Sequence, residues 1–203
     1  MVTLSSFRSN PKSPTSLEIN LRTRRIGSWY GNARSAHRDP LVVEAYKQLQ
    51  LQTDRIFGAV ALHAEPFVVR IKFTRCHQPY TSDRELITAV RTYRILEVTS
   101  AAATSERLHP LLSCELGGPF DRFRAVHDLI GHVWKGFGFE LEGEIAAWRT
   151  QDRMHSGLAR RALASEVYGV NAARSVSGEP PQLKALVLGA REFGELVVPS
   201  GHR

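Results

Sequence analysis

Phe123-Arg124-Ala125-Val126-His127-Asp128-Leu129-Ile130-Gly131-His132-Val133-Trp134 is the stretch on which the reading of this chain turns. Apolar residues recur at helical spacing, with Phe120, Phe123, Ile130 and Trp134 on one face. Two of the eight histidines stand five residues apart here, with Asp128 after the first and Gly131 before the second. Imidazole nitrogens and carboxylates are the usual ligands of zinc and non-haem iron. At about 100° per residue, His127 falls on the apolar face, His132 lies about 140° around from it, and Asp128 is about 40° from His132. A regular helix therefore keeps the two imidazoles apart, whereas an i, i+4 pair converges. For them to share an ion, the helix must loosen near Gly131 or the ion must sit at its end.

The helical pattern continues to the C-terminus. Gly136 and Gly138 break the first helix, a second spans about 140–154, and a third about 157–173. Ser177-Gly178-Glu179-Pro180-Pro181 marks a turn whose prolines open a fourth helix ending near Gly194. Two acids fall on apolar faces: Glu144 with Leu141, Trp148 and His155, and Glu166 with Ala159, Ala162, Leu163 and Val170. A carboxylate among apolar neighbours is costly to bury unless it is paired, protonated or bound to a metal. One outcome is an ion pair with Arg124, Arg160 or Arg161. The other is a His/Asp/His plus two-Glu set, assembled on three consecutive helices as metal sites in helical bundles are. The spacing leaves open whether Glu144 or Glu166 is the carboxylate ligand.

Upstream, Asp39-Pro40 is a helix start, and Val42, Tyr46, Leu49, Ile56, Phe57 and Val60 follow at helical spacing. Residues 67–73 and 93–98 read as strands that could pair, with a short helix opened by Ser82-Asp83 between them and a loop over 101–106. The expected fold is α+β and predominantly helical: a two-strand element in the front half, and a helical back half carrying the site.

Residues 1–38 read as a basic, partly disordered arm, and 39–203 as one domain carrying the metal site. Residues 17–30 are expected as a strand or irregular arm. Through Asp39, seven basic residues face two acids, so this segment holds +5 of the formal net charge of +7. Such an arm suits nucleic-acid phosphates, although a solvated terminus is its commoner meaning. No apolar run approaches the roughly 18 residues of a membrane span, and the N-terminus lacks a secretory core. Two isolated cysteines, Cys76 and Cys114, make no disulfide framework. A cytoplasmic protein is expected.

Two resemblances follow from these residues. The chain resembles an uncharacterised family of actinobacterial and phage proteins. It shares Phe123-Arg124-Ala125-Val126-His127-Asp128-x-x-Gly131-His132, Gly143-Glu144-x-x-Ala147-Trp148, Met154 and Glu166-x-x-Gly169-x-Asn171. Upstream it shares Asp39-x-x-Val42, Ala45-Tyr46-x-x-Leu49 and Gln52-Thr53, and Val170 stands where a glutamine is expected. Locally, His127-Asp128-Leu129-Ile130-Gly131-His132-Val133 is similar to the His-Glu-Leu-Leu-Gly-His-Val stretch of the pterin-dependent aromatic amino acid hydroxylases. That resemblance implies iron(II) bound by His127, His132 and Glu166, with Asp128 as a nearby acid, Glu144 in support and a pterin left open.

The expected function is thus a non-haem iron(II) oxygenase acting on a small molecule. Asp128 and Glu144 are the candidate catalytic groups. Phe137, Phe139, Trp148 and His155 are the candidate substrate pocket. A zinc-dependent hydrolase with the same ligands is the first alternative. The second is a nucleic-acid-binding protein whose His/Asp/Glu cluster is a structural core.

Overall fold

Ser16–Asn32 forms helix α1, and Asp39-Pro40 opens α2, Pro40–His63, with the Asp39 carboxylate accepting the Leu41 N–H at 2.8 Å. The computed structural model describes residues 16–63, 69–75, 78–101 and 109–197, which include these helices. Strand β1, Arg70–Thr74, is followed by α3, Asp83–Tyr93, and strand β2, Ile95–Thr99. Ser82 caps α3 by accepting the Glu85 N–H at 3.2 Å, and Arg94 closes it in the left-handed conformation. The strands pair in parallel, Ile71 opposite Leu96 and Phe73 opposite Val98, so α3 is the crossover that a parallel pair requires. Leu96 and Val98 point inward onto Leu86 and Val90 of α3. Phe67 and Val68 of the expected first strand, and most of the expected loop at 101–106, lie outside the described residues.

The back half is the expected succession of helices. It runs α4, Pro119–His127; a π-helical stretch, Asp128–Trp134; α5, Leu141–Asp152; α6, Leu158–Ala164; a second π-helical stretch, Ser165–Gly169; α7, Val170–Ser177; and α8, Ala190–Val197. The expected third helix is thus one rod, α6 through α7, widened in its middle. Two core clusters flank the α4 rod. Phe123 joins Tyr46, Leu49, Trp148, Leu163 and Tyr168 on one side. Ala125, Leu129 and Val133 join Leu86, Val90, Leu96 and Val98 on the other. The predominantly helical α+β fold is as expected. Among the described residues no helix is long and apolar enough to cross a membrane.

Three expectations change. Residues 17–30 are neither strand nor irregular, and residue 38 is no boundary in packing. Ile26 belongs to the same buried cluster as Tyr46, Tyr30 is fully buried, and α1 lies along α7. Residues 1–15 of the expected arm lie outside the described residues. The prolines at 180 and 181 do not open a helix: residues 179–189 form an extended strap, and only α8 follows. Its backbone groups find partners elsewhere. Ala185 N–H donates to Ser35, Leu188 N–H to Ser165, and the Ala185 carbonyl accepts Ala36 N–H at 2.8 Å. Third, Trp134 is exposed instead of sharing the apolar face, because the π-helical widening turns it away.

Gly27 is where α1 meets α7. A Cβ there would stand 2.4 Å from the Ala172 carbonyl oxygen, a backbone atom that cannot swing aside. Gly27→Ala is expected to cost about 1–3 kcal/mol in urea unfolding and to open α1 to trypsin. A free helical arm would instead gain up to about 1 kcal/mol from the same change.

Candidate metal centre

The π-helical stretch resolves the spacing problem. A π turn closes i to i+5 hydrogen bonds, so residues five apart come onto one face. His127 ends α4, His132 sits inside the widened turn, and their Nε2 atoms are 3.1 Å apart. Gly131 permits the widening to lie directly on α5. A Cβ at residue 131 would stand 2.6 Å from the Ala147 Cβ. That contact holds Glu144, one turn before Ala147, against the histidines. Glu144 Oε2 is 3.0 Å from His127 Nε2, and Oε1 is 3.7 Å from His132 Nε2.

Each ring is oriented from behind. His132 Nδ1 donates to the Phe137 carbonyl at 2.8 Å, and the turn at Gly136 (φ 72°) brings that carbonyl round. His127 Nδ1 donates to Gln151 Oε1 at 2.9 Å. Both bonds put the ring proton on Nδ1 and leave the Nε2 lone pair facing the cluster, the arrangement common among metal-binding histidines. Asn171 Nδ2 donates to Glu144 Oε2 at 3.2 Å, and Phe139 packs edge-on against His132. Three lone-pair acceptors therefore converge, which is stable only with a positive charge among them. In the protein alone that charge is a proton. Burial opposes the His127 imidazolium, but the hydrogen bond and charge of Glu144 outweigh burial and push its pKa up to about 9. Burial likewise works against the Glu144 anion, and His127, His132 and Arg174 overcome it to hold the carboxyl below its usual range. Asp128 adds a further donor: one atom from each of His127, Asp128 and His132 lies within 4.8 Å of the others. Burial raises the Asp128 pKa despite the opposing His127, Arg124 and His132.

The structure separates the two glutamates. Glu144 sits with the histidine pair. Glu166 is held by Tyr46 Oη and by His109 Nε2 at 2.9 Å, and among the described residues no ion-pair contact joins it to His127 or His132. Of the two candidate carboxylates, it is Glu144, expected as a catalytic group, that lies beside the histidine pair, and Glu166, expected as the ligand, that lies apart from it. Neither glutamate pairs with the arginines considered: Arg160 binds Asp152, while Arg124 and Arg161 donate to the carbonyls of Thr99 and Leu188.

A cavity of about 530 Å³ opens over the cluster, a volume suited to a small molecule. Its wall includes His127, Asp128, His132, Glu144 and Glu166, with Phe120, Phe123 and Phe139 as aromatic lining. Of the four expected pocket residues only Phe139 lines it. Trp148 is fully buried edge-on against Tyr168 in the core. His155 is buried and donates to the Gln151 carbonyl at 2.9 Å, and burial lowers its pKa. Phe137 contributes its carbonyl instead of its ring. Sequence reasoning singled out neither Gln151 nor His109. Neither carries a spacing signal, because each meets its partner through the tertiary fold.

Comparison with family models, curated proteins and solved structures returns no match. Function therefore rests on the geometry of this chain. Gly131→Ala is expected to separate the widened turn from α5. Metal affinity should fall at least about tenfold in isothermal titration, a loss of roughly 1.4 kcal/mol or more. Gly58→Ala, where a Cβ meets nothing within 4 Å, should leave affinity unchanged.

Proposed function

We propose that this chain is a metal-dependent enzyme acting on a small molecule, with iron(II) held by His127, His132 and Glu144 and oxidoreductase chemistry of the oxygenase kind. One observation carries the reading: the Nε2 atoms of two back-anchored histidines, 3.1 Å apart, lie 3.0 and 3.7 Å from one carboxylate. Ligands about 2.1 Å from one ion stand roughly 3.0 Å apart in cis octahedral positions and roughly 3.4 Å apart in a tetrahedron. The separations of 3.0, 3.1 and 3.7 Å span both values, so they fit a single shared ion without selecting its geometry. A two-histidine, one-carboxylate face with open positions suits non-haem iron(II). The local likeness to the pterin-dependent hydroxylases supports the same choice, with Glu144 in the place that likeness gave Glu166.

Bound iron would supply dioxygen and one-electron chemistry. The protein's own groups do the rest. Gln151 and the Phe137 carbonyl fix the ring tautomers, and Asn171 anchors Glu144. Phe120, Phe123 and Phe139 present apolar surface within a cavity that polar groups also line. Asp128, raised in pKa by burial, is placed to hold or pass a proton beside the histidines.

The same Asp128 favours the second reading, a zinc hydrolase in which it serves as general base to a metal-activated water. The nucleic-acid reading loses ground. Residues 16–32 belong to a packed helix, and Arg25 is paired with Glu195.

Anaerobic titration of the metal-free protein with iron(II) is expected to give one tight site per chain. Glu144→Ala should weaken it by a hundredfold or so, an order-of-magnitude figure for losing a ligand or its support, whereas Glu166→Gln should retain it. Loss in Glu166→Gln with retention in Glu144→Ala would reverse the assignment. Cobalt(II) substitution separates the readings: weak visible absorption marks a six-coordinate ion, intense absorption a tetrahedral one.

A further inference from the structure

Glu166 is the buried acid that the metal centre does not use. Its side chain is 1 % exposed, yet it forms part of the wall of the same cavity. Tyr46 and His109 both donate to one oxygen, Oε1. His109 Nδ1 lies 3.4 Å from the Leu111 N–H, while its Nε2 is the atom that meets Glu166. Both contacts fall on the same oxygen and leave the other side of the carboxylate to the cavity. Among the described residues no lysine or arginine pairs with Glu166, and no donor reaches Oε2. The charge is felt nearby, where it adds to burial in raising the pKa of Tyr46. Oε2 has no protein partner among the described residues, yet it is not among the fully enclosed unpartnered polar atoms, so it faces the cavity. It is also pre-oriented to receive a cation.

We propose that Glu166 Oε2 is the docking point for a positively charged nitrogen, so that the molecule this cavity takes is an organic amine with an apolar body. Phe120, Phe123, Val167 and Val170 line the same cavity and suit that body. The inference rests on the reading of the cavity as a substrate site and supplies the substrate class. Glu144 and Glu166 then divide the work, one holding the ion and the other the substrate's charge.

Calorimetry at neutral pH tests it with benzylamine, phenethylamine and hexylamine, each beside the corresponding alcohol. Metal-free and iron(II)-loaded wild type are titrated in parallel, because an amine can also coordinate iron. At least one amine is expected to bind both forms roughly tenfold or more tightly than its alcohol. In Glu166→Gln, an isosteric change, that preference should shrink to about twofold or less. If this variant fails to fold in a melting check, the amine-to-alcohol ratio of metal-free wild type decides alone. The proposal is overturned if no amine binds better than its alcohol. It is equally overturned if Glu166→Gln keeps the preference, or if two metal ions bind per chain and that variant loses one. An amine preference in a protein that binds no metal would sink the metal centre and leave this inference standing. Metal binding without amine preference would do the reverse.

Discussion

One widened helical turn carries the site. Residues Asp128–Trp134 hold one residue more per turn than an α-helix would, and that residue swings His132 onto the face of His127. The widening gives up regular i to i−4 bonds, so packing must hold it. Leu129, Ile130 and Val133 are buried, Arg91 donates to the Val133 carbonyl, and Gly131 lies against Ala147 of α5. Remove the widening and the histidines stand on different faces, with the Phe137 carbonyl and Glu144 no longer meeting them. The second π-helical stretch does a parallel job, setting Glu166 into the cavity wall within the rod that also carries Asn171.

Burial gives the two glutamates different partners and so different chemistry. Glu144 faces imidazoles and an amide, and its charge is drawn into a cluster that demands a cation. Glu166 faces a phenol and an imidazole that share one of its oxygens and leave the other to the cavity. Both line one cavity between the helical core and the α3–strand core, which under the proposals above would place two kinds of cation in the same cavity. The strap at 179–189 supports this arrangement: Leu186 N–H donates to Tyr46 Oη, which in turn donates to Glu166.

Local signals carried the fold class. The caps at Asp39 and Ser82, the alternation of β2 and the apolar faces of α4 to α7 all lie within a few residues of what they specify. The misreadings came where tertiary contacts override local chemistry. Residues 17–30 look polar because α1 buries only a narrow stripe, Ile26 and Tyr30 among it, against α7. Pro180 and Pro181 resemble a helix start, yet side chains of Ser35 and Ser165 offer the strap's backbone better partners than a helix would. At the site, the pairing of His127 with His132 was legible as a requirement for a loosened helix at Gly131. The choice between Glu144 and Glu166 was not. Helical spacing gives each an apolar face, and only the contact of Gly131 with Ala147 shows which one reaches the histidines.

The most direct test of the account is an anomalous-difference map from crystals of the iron(II)-reconstituted protein, with data collected on both sides of the iron edge. The account predicts a single edge-dependent peak at ligand distance, about 2.0–2.2 Å, from His127 Nε2, His132 Nε2 and a Glu144 oxygen. A peak bound by Glu166 and His109 instead, or no peak at the histidine pair, would contradict it.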